Sequence, residues 1–264
     1  MRVQVLGQLD VTVRGTSILP TASKPRQVLA MLALNPGRIV TVRTLMEELW
    51  GTEIPRSAAT TLQTYVMQLR RKLRDALAGD PRRTPMDLLV THPTGYRLQV
   101  RPEDVDCCVH DRLVVAGRDA AASGDDVNAS RLLGEALSLW QGPALLDVQV
   151  GPRLELEVMR LDDMRLYALE MRIEADLRLG RHQALLGELA VLTAEHQLHE
   201  TLHTYYMIAL SRSGRRWQAL SVHQRLRRSL ADELGIEPGH RIREVQRAIL
   251  AAEPVARDGT MIEI

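Results

Sequence analysis

Two stretches of the chain repeat one another at a fixed distance, and this constrains the fold more than any other feature. DLRLGRHQALLGEL surrounds Gly180, and LSRSGRRWQALSVH surrounds Gly214, 34 residues further on. In each, a glycine interrupts helical periodicity and an Ala-Leu pair begins within five residues. A looser copy, AASGDDVNASRLLGEAL, surrounds Gly124. The Ala-Leu register slips by one between copies, as in a degenerate repeat. Such a period belongs to helix-turn-helix units that cannot bury an apolar face alone and must stack. From about Asp106 to Leu250 the apolar spacing is helical almost throughout. The last helix is expected over HRIREVQRAIL, and the tail 253–264 lacks an apolar period and is expected to be disordered.

The first hundred residues read differently. VQVLGQLDVTV alternates, Arg14-Gly15-Thr16 makes a turn, and short antiparallel strands are expected. A helix is expected from about Ser23, with Pro25 in its first turn, to a stop at Asn35-Pro36-Gly37. A second is expected from Thr41, with capping hydroxyls and a stripe of Leu45, Leu49 and Trp50, to Gly51. A third is expected from about Ser57 to Leu77, terminated by Ala78-Gly79-Asp80-Pro81. MDLLVTHPTGYRLQV then reads as a β-hairpin turning at His92-Pro93-Thr94-Gly95. Strands, three helices and a hairpin in this order make a winged helix-turn-helix.

The third helix carries the clearest chemical signal. In TLQTYVMQLRRKL, Leu62, Val66, Leu69 and Leu73 form one apolar stripe. The free face is read as Thr61, Thr64, Tyr65, Gln68, Arg71 and Lys72. Gln68 can hydrogen-bond a base edge with both ends of its amide, while Arg70, Arg71, Lys72 and Arg74 reach phosphates or a guanine. Arg97 and Thr94 place the hairpin on a neighbouring groove. Lys24 and Arg26 lie at a helix N-terminus, where free amides favour phosphate.

Charge supports this division. Residues 1–101 hold 15 Arg and Lys against 7 Asp and Glu, a net +8; residues 102–264 hold 19 against 26, a net −7. The whole chain nets only +1. A basic part can approach a polyanion that repels the acidic part. Two domains are therefore expected, 1–101 and 102–252, in a mainly α protein with a small β component.

Other chemistry is hard to place. Apolar residues make up 45% of the chain, enough for a core, with no run long enough to span a bilayer. MRVQVLGQLD lacks the pattern of a signal peptide. Cys107 and Cys108 are adjacent and are read as reduced thiols of a cytoplasmic protein. Trp50, Trp140 and Trp217 are read as core anchors. His196, His199 and His203 fall at helical spacing but are read as packing and surface polarity, not as metal ligands. No phosphate loop, dinucleotide fingerprint or catalytic triad stands out, so no catalytic residue, metal or cofactor is expected.

These segments resemble known families. Thr41-Val42-Arg43-Thr44-Leu45, Leu49-Trp50-Gly51, Leu62 to Leu73 and Thr94-Gly95-Tyr96-Arg97-Leu98 resemble the OmpR/PhoB-type winged helix. EALSLWQGPAL from Glu135, Leu220 to Leu230, and DELGIEPG from Asp232 resemble the bacterial transcriptional activation domain, a tetratricopeptide-like array. Together they resemble the small, two-domain Streptomyces antibiotic regulatory proteins over roughly residues 1–252. The resemblance implies an activator of an antibiotic gene cluster. It implies that side-by-side copies bind promoter direct repeats in double-stranded DNA and recruit RNA polymerase holoenzyme through its sigma factor and other subunits. It implies DNA contacts from Thr61, Thr64, Gln68, Arg71, Lys72 and Arg97. The chain carries neither a receiver domain nor a nucleotide-binding domain, so control by phosphoaspartate or ATP is not expected in it. Two alternatives remain at this level: a ligand-sensing repressor, and a peptide-binding helical-repeat adaptor.

Overall fold

The computed structural model of the protein describes residues 1–78 and 82–251. The expected disordered tail, and most of the expected helix stop at Ala78-Gly79-Asp80-Pro81, lie outside them. The chain gathers into two compact units, Met1–Val115 with Glu135–Ala168, and Ala116–Gly134 with the residues from Leu169 onward.

The first unit opens with β1 (Arg2–Gln4), β2 (Asp10–Val13) and β3 (Thr16–Ser17), antiparallel in that order. The β2–β3 turn places Arg14 at φ 53° and Gly15 at φ 83°. Two left-handed residues in succession match the twist of the flanking strands. Next come α1 (Ser23–Ala33), β4 (Val40–Thr41), α2 (Val42–Trp50), α3 (Ala58–Ala76), α4 (Pro85–Leu88), β5 (Leu89–His92) and β6 (Gly95–Leu98). The second sheet runs β4-β6-β5, with Val40 opposite Tyr96 and Val90 opposite Arg97. This is the expected helix-turn-helix and wing, with two additions. β4 borrows the residues just before α2, where Thr41 also caps that helix by accepting the Thr44 amide at 3.1 Å. The start of the expected hairpin is instead a helical turn, because Asp87 accepts the Thr84 amide at 2.7 Å and closes it.

Then follow α5 (Asp106–Ala122), α6 (Asp126–Ser138) and α7 (Pro152–Arg178). Between α6 and α7 the expected helical pattern fails. Residues 139–151 run irregularly: Gly142-Pro143 and Gly151-Pro152 interrupt the helix, and the freed backbone pairs with the segment beyond β1. The amides of Gln141, Leu145 and Leu146 donate to the carbonyls of Leu6, Val5 and Gly7 at 2.8, 3.0 and 3.1 Å. Buried backbone needs such partners, and here it finds them outside any helix. Asp147 accepts the Leu9 amide at 2.8 Å, and Asp106 accepts those of Val5 and Leu6. Trp140, Leu145 and Leu154 are buried in one hydrophobic cluster with Val3, Leu29, Leu45 and Leu69. The winged helix therefore shares its core with residues 135–168.

The second unit is helical: parts of α5, α6 and α7, then α8 (His182–Glu195), α9 (Glu200–Arg212), α10 (Arg216–Leu234) and α11 (His240–Leu250). The repeat seen in the sequence has a shared geometry. Gly124, Gly180 and Gly214 sit at φ 79°, 77° and 78°. At each, the next residue donates back across the helix end: Asp125 to Ala120, Arg181 to Asp176 and Arg215 to Leu210, all at 2.9 Å. That closure needs a left-handed residue, which glycine adopts without a Cβ clash. Met207, Leu210, Val222, Leu226, Ile242, Val245 and Ile249 form the core of α9, α10 and α11. Trp217 does not join it and is 71% exposed. The buried stripe of α10 is Ala219, Val222, Leu226 and Leu230, and helical geometry puts Trp217 on the opposite face. Of the three tryptophans read as anchors, Trp140 is buried and Trp50 half-buried. Among the described residues no helix is long and apolar enough to cross a membrane.

Candidate nucleic-acid interface

α3 buries Ala58, Leu62, Val66, Leu69, Leu73 and Ala76 against the core of the first unit. The side opposite that stripe is exposed along its length. Thr60, Gln63, Thr64, Met67, Gln68, Arg71 and Arg74 are exposed, whereas Thr61, Tyr65, Arg70 and Lys72 are half-buried. The outer face is thus rotated from the sequence reading. It gains Thr60, Gln63 and Met67, while Thr61, Tyr65 and Lys72 fall on its flank. The signal was available in the full complement of the buried stripe, which Ala58 and Ala76 extend.

The cations separate by what they touch. Among the described residues Arg71, Lys72, Arg74 and Arg97 make no ion pair. Arg97 lies on β6 opposite Val90, between β4 and β5; it is half-buried, and its Nε is buried without a hydrogen-bond partner. Thr94 is exposed at the hairpin tip, and its carbonyl accepts the Val42 amide at 2.9 Å. α3 and the wing therefore present unpaired positive charge in a unit that also carries short polar side chains.

The other three cations, Arg70, Arg26 and Lys24, have partners inside the chain. Arg70 donates to the Leu89 carbonyl at 2.8 Å and to Thr91 Oγ1 at 2.6 Å, fastening α3 to β5. Arg26 donates to the Pro20 carbonyl and pairs with Asp147 at 2.8 Å. Lys24 donates to the Leu49 carbonyl at 3.2 Å and lies 4.7 Å from the centre of the Trp50 ring. Each is positioned by a partner that is distant in sequence, so spacing alone does not distinguish it from a free cation.

α2 is anchored from behind. Glu48, 2% exposed, accepts the amides of Gly151, Arg153 and Leu154 and so caps α7. Glu47 takes hydrogen bonds from Arg153 at 2.8 Å and Arg43 at 2.9 Å, which hold its carboxyl below the ordinary range.

The remaining reactive groups are carried by other elements of the chain. Cys107 and Cys108 are free thiols. A hydrogen bond between them pushes the Cys107 thiol up and brings Cys108 down to about 7. His199 pairs with Glu170 at 3.0 Å, and His203 contacts the His199 carbonyl through Nδ1 at 3.1 Å. Among the described residues no group of three His, Cys, Asp or Glu side chains is placed to hold a metal ion.

Comparison with known proteins places the chain among transcriptional regulators. Residues 16–98 match the family described as "Transcriptional regulatory protein, C terminal", and residues 105–250 match "Bacterial transcriptional activator domain". Regulatory protein DnrI of Streptomyces peucetius is 48% identical over 98% of this chain and 96% of its own length. Regulatory protein AfsR of Streptomyces griseus is 35% identical over 96% of this chain, which spans only 25% of that larger protein. The solved structure of Mycobacterium tuberculosis EmbR in complex with a low-affinity phosphopeptide superposes with a TM-score of 0.89 at 34% identity. The match covers 97% of this chain and 66% of that one. The chain belongs to the Streptomyces antibiotic regulatory protein family, joining an OmpR/PhoB-type winged helix to a bacterial transcriptional activator domain.

Proposed function

We propose that this protein activates transcription of a secondary-metabolite gene cluster by binding direct repeats in promoter DNA as adjacent copies. Residues 1–101 read the DNA, and residues 102–252 contact RNA polymerase holoenzyme, including its sigma factor, and a second copy on the neighbouring repeat. The observation that carries the reading is α3 beside the wing: Arg71 and Arg74 on its exposed face, Lys72 on its flank and Arg97 on β6 make no ion pair among the described residues. An α-helix fits the major groove, and unpaired cations next to short polar side chains supply both phosphate and base contacts.

In this reading Thr64, Gln68 and Arg71 face base edges. Thr61 and Lys72 border them, and Arg74, Thr94 and Arg97 meet phosphates. Lys24, Arg26 and Arg70 hold the frame through their partners within the chain. The protein acts in the cytoplasm as a regulator without catalysis. Footprinting on its own genomic neighbourhood at about 100–150 mM salt, where nonspecific binding is suppressed, tests this. Protection of repeats spaced by one helical turn, about 10–11 base pairs, is expected, extended on adding polymerase. No discrete protection at any salt overturns it.

A further inference from the structure

The exposed face of α3 carries one large apolar side chain. Met67 is 69% exposed. It lies seven residues after Thr60, three after Thr64 and four before Arg71, so all four share one line along the helix. That line is opposite the buried stripe of Leu62, Val66, Leu69 and Leu73. From Thr60 to Arg74 every other exposed residue of the helix is polar or charged. Thr64, one turn before Met67, donates its hydroxyl hydrogen to the Thr60 carbonyl at 3.1 Å. Its outward surface is therefore a methyl group and an acceptor oxygen. Met67 and Thr64 together make a small apolar spot between polar neighbours.

The major groove displays a matching apolar group, the C5-methyl of thymine. A methionine side chain is unbranched and polarizable, and it adapts to such a surface without a fixed hydrogen-bond geometry. We propose that Met67 is a specificity-determining residue that reads a thymine methyl in each half of the target site, between the contacts of Thr64 and Arg71. This rests on the DNA-binding reading above and adds to it the identity of one base.

The test uses the footprinted promoter fragment and the full-length protein. Each thymine within a protected repeat is replaced in turn by deoxyuridine, which removes only the methyl. In the wild type, replacement at one or two positions is expected to weaken binding about three- to fivefold, the effect of one buried carbon. Met67→Ala, and Met67→Gln as a helix-compatible control, are expected to keep the melting temperature, bind the thymine site more weakly, and lose the deoxyuridine effect at those positions. If no deoxyuridine matters to the wild type, or if Met67→Ala retains the full effect, the assignment of Met67 is overturned while the footprint stands. If there is no footprint, the DNA reading itself fails, and this assignment with it.

Discussion

Glu48, on the supporting helix of the helix-turn-helix, accepts the amide of Gly151 at 2.6 Å. The two residues are 103 positions apart in the chain. The same carboxylate takes the amides of Arg153 and Leu154, so the first turn of α7 is satisfied by α2. Removing the carboxylate strands three amides and opens a buried space. Glu48→Ala is expected to destabilise the protein by about 3 kcal/mol, and Glu48→Gln by less, because an amide oxygen still accepts. Urea denaturation of the full chain, followed by circular dichroism, measures both. A loss below about 0.5 kcal/mol for the alanine variant would contradict the capping role.

Arg70 and Arg71 are neighbours with different tasks. Arg70 is tied to Leu89 and Thr91, while Arg71 is exposed and unpaired. Arg70→Ala is expected to lower the melting temperature and weaken DNA binding together. Arg71→Ala should leave the melting temperature unchanged and cost about 1–3 kcal/mol of specific binding if it reads a base. Equal losses on promoter and random DNA, with a salt slope smaller by about one, would instead assign Arg71 to a phosphate. Fluorescence anisotropy at several salt concentrations separates these outcomes.

The wing depends on a close approach at Gly95. A Cβ placed there would lie 2.1 Å from the Val40 carbonyl oxygen, inside the β4–β6 pairing. Gly95→Ala must push the strands apart and is expected to cost about 2 kcal/mol or more. Thermal melting gives the loss, and hydrogen exchange at Tyr96 and Arg97 would locate it in the wing.

Acid should loosen the helical unit. His203 and His223 are buried, and burial holds both imidazoles below the ordinary histidine value of 6.5. Above that pH neither the folded nor the unfolded chain protonates them, so they make no difference. As pH falls through about 6.5 the unfolded chain takes up protons that the folded chain refuses, and stability drops. Neither ring nitrogen of His223 has a hydrogen-bond partner. His223→Leu is therefore expected to raise the melting temperature at neutral pH and to flatten its decline between pH 7 and about 5. A decline as steep as that of the wild type would show that His223 does not contribute.

The paired cysteines should react unequally. Cys108 is half-buried with its thiol lowered to about 7 by the hydrogen bond from Cys107, while Cys107 is buried and pushed up. The thiolate is the nucleophile. Iodoacetamide at neutral pH is expected to label Cys108 first, as read by peptide mass spectrometry, and Cys108→Ser should abolish the fast phase.

The sequence by itself determined what local periodicity and turn chemistry control. The stripe of Leu62, Val66, Leu69 and Leu73 specified α3, Pro93 and Thr94 placed the wing turn, and Gly180 and Gly214 marked the helical hairpins. Each of these is set within a turn or two of chain, where residues i, i+3 and i+4 or the two sides of a hairpin meet. Tertiary structure alone decided which cations stay free, because Arg26 meets Asp147 and Arg70 meets Leu89 across distances that no local pattern encodes. It also decided where residues 139–151 run once Gly142-Pro143 and Gly151-Pro152 break the helix, since their backbone finds partners at Val5, Leu6 and Gly7. Hydrogen bonds and ion pairs act over a few ångströms, so which distant residues make them is fixed only when the chain has folded.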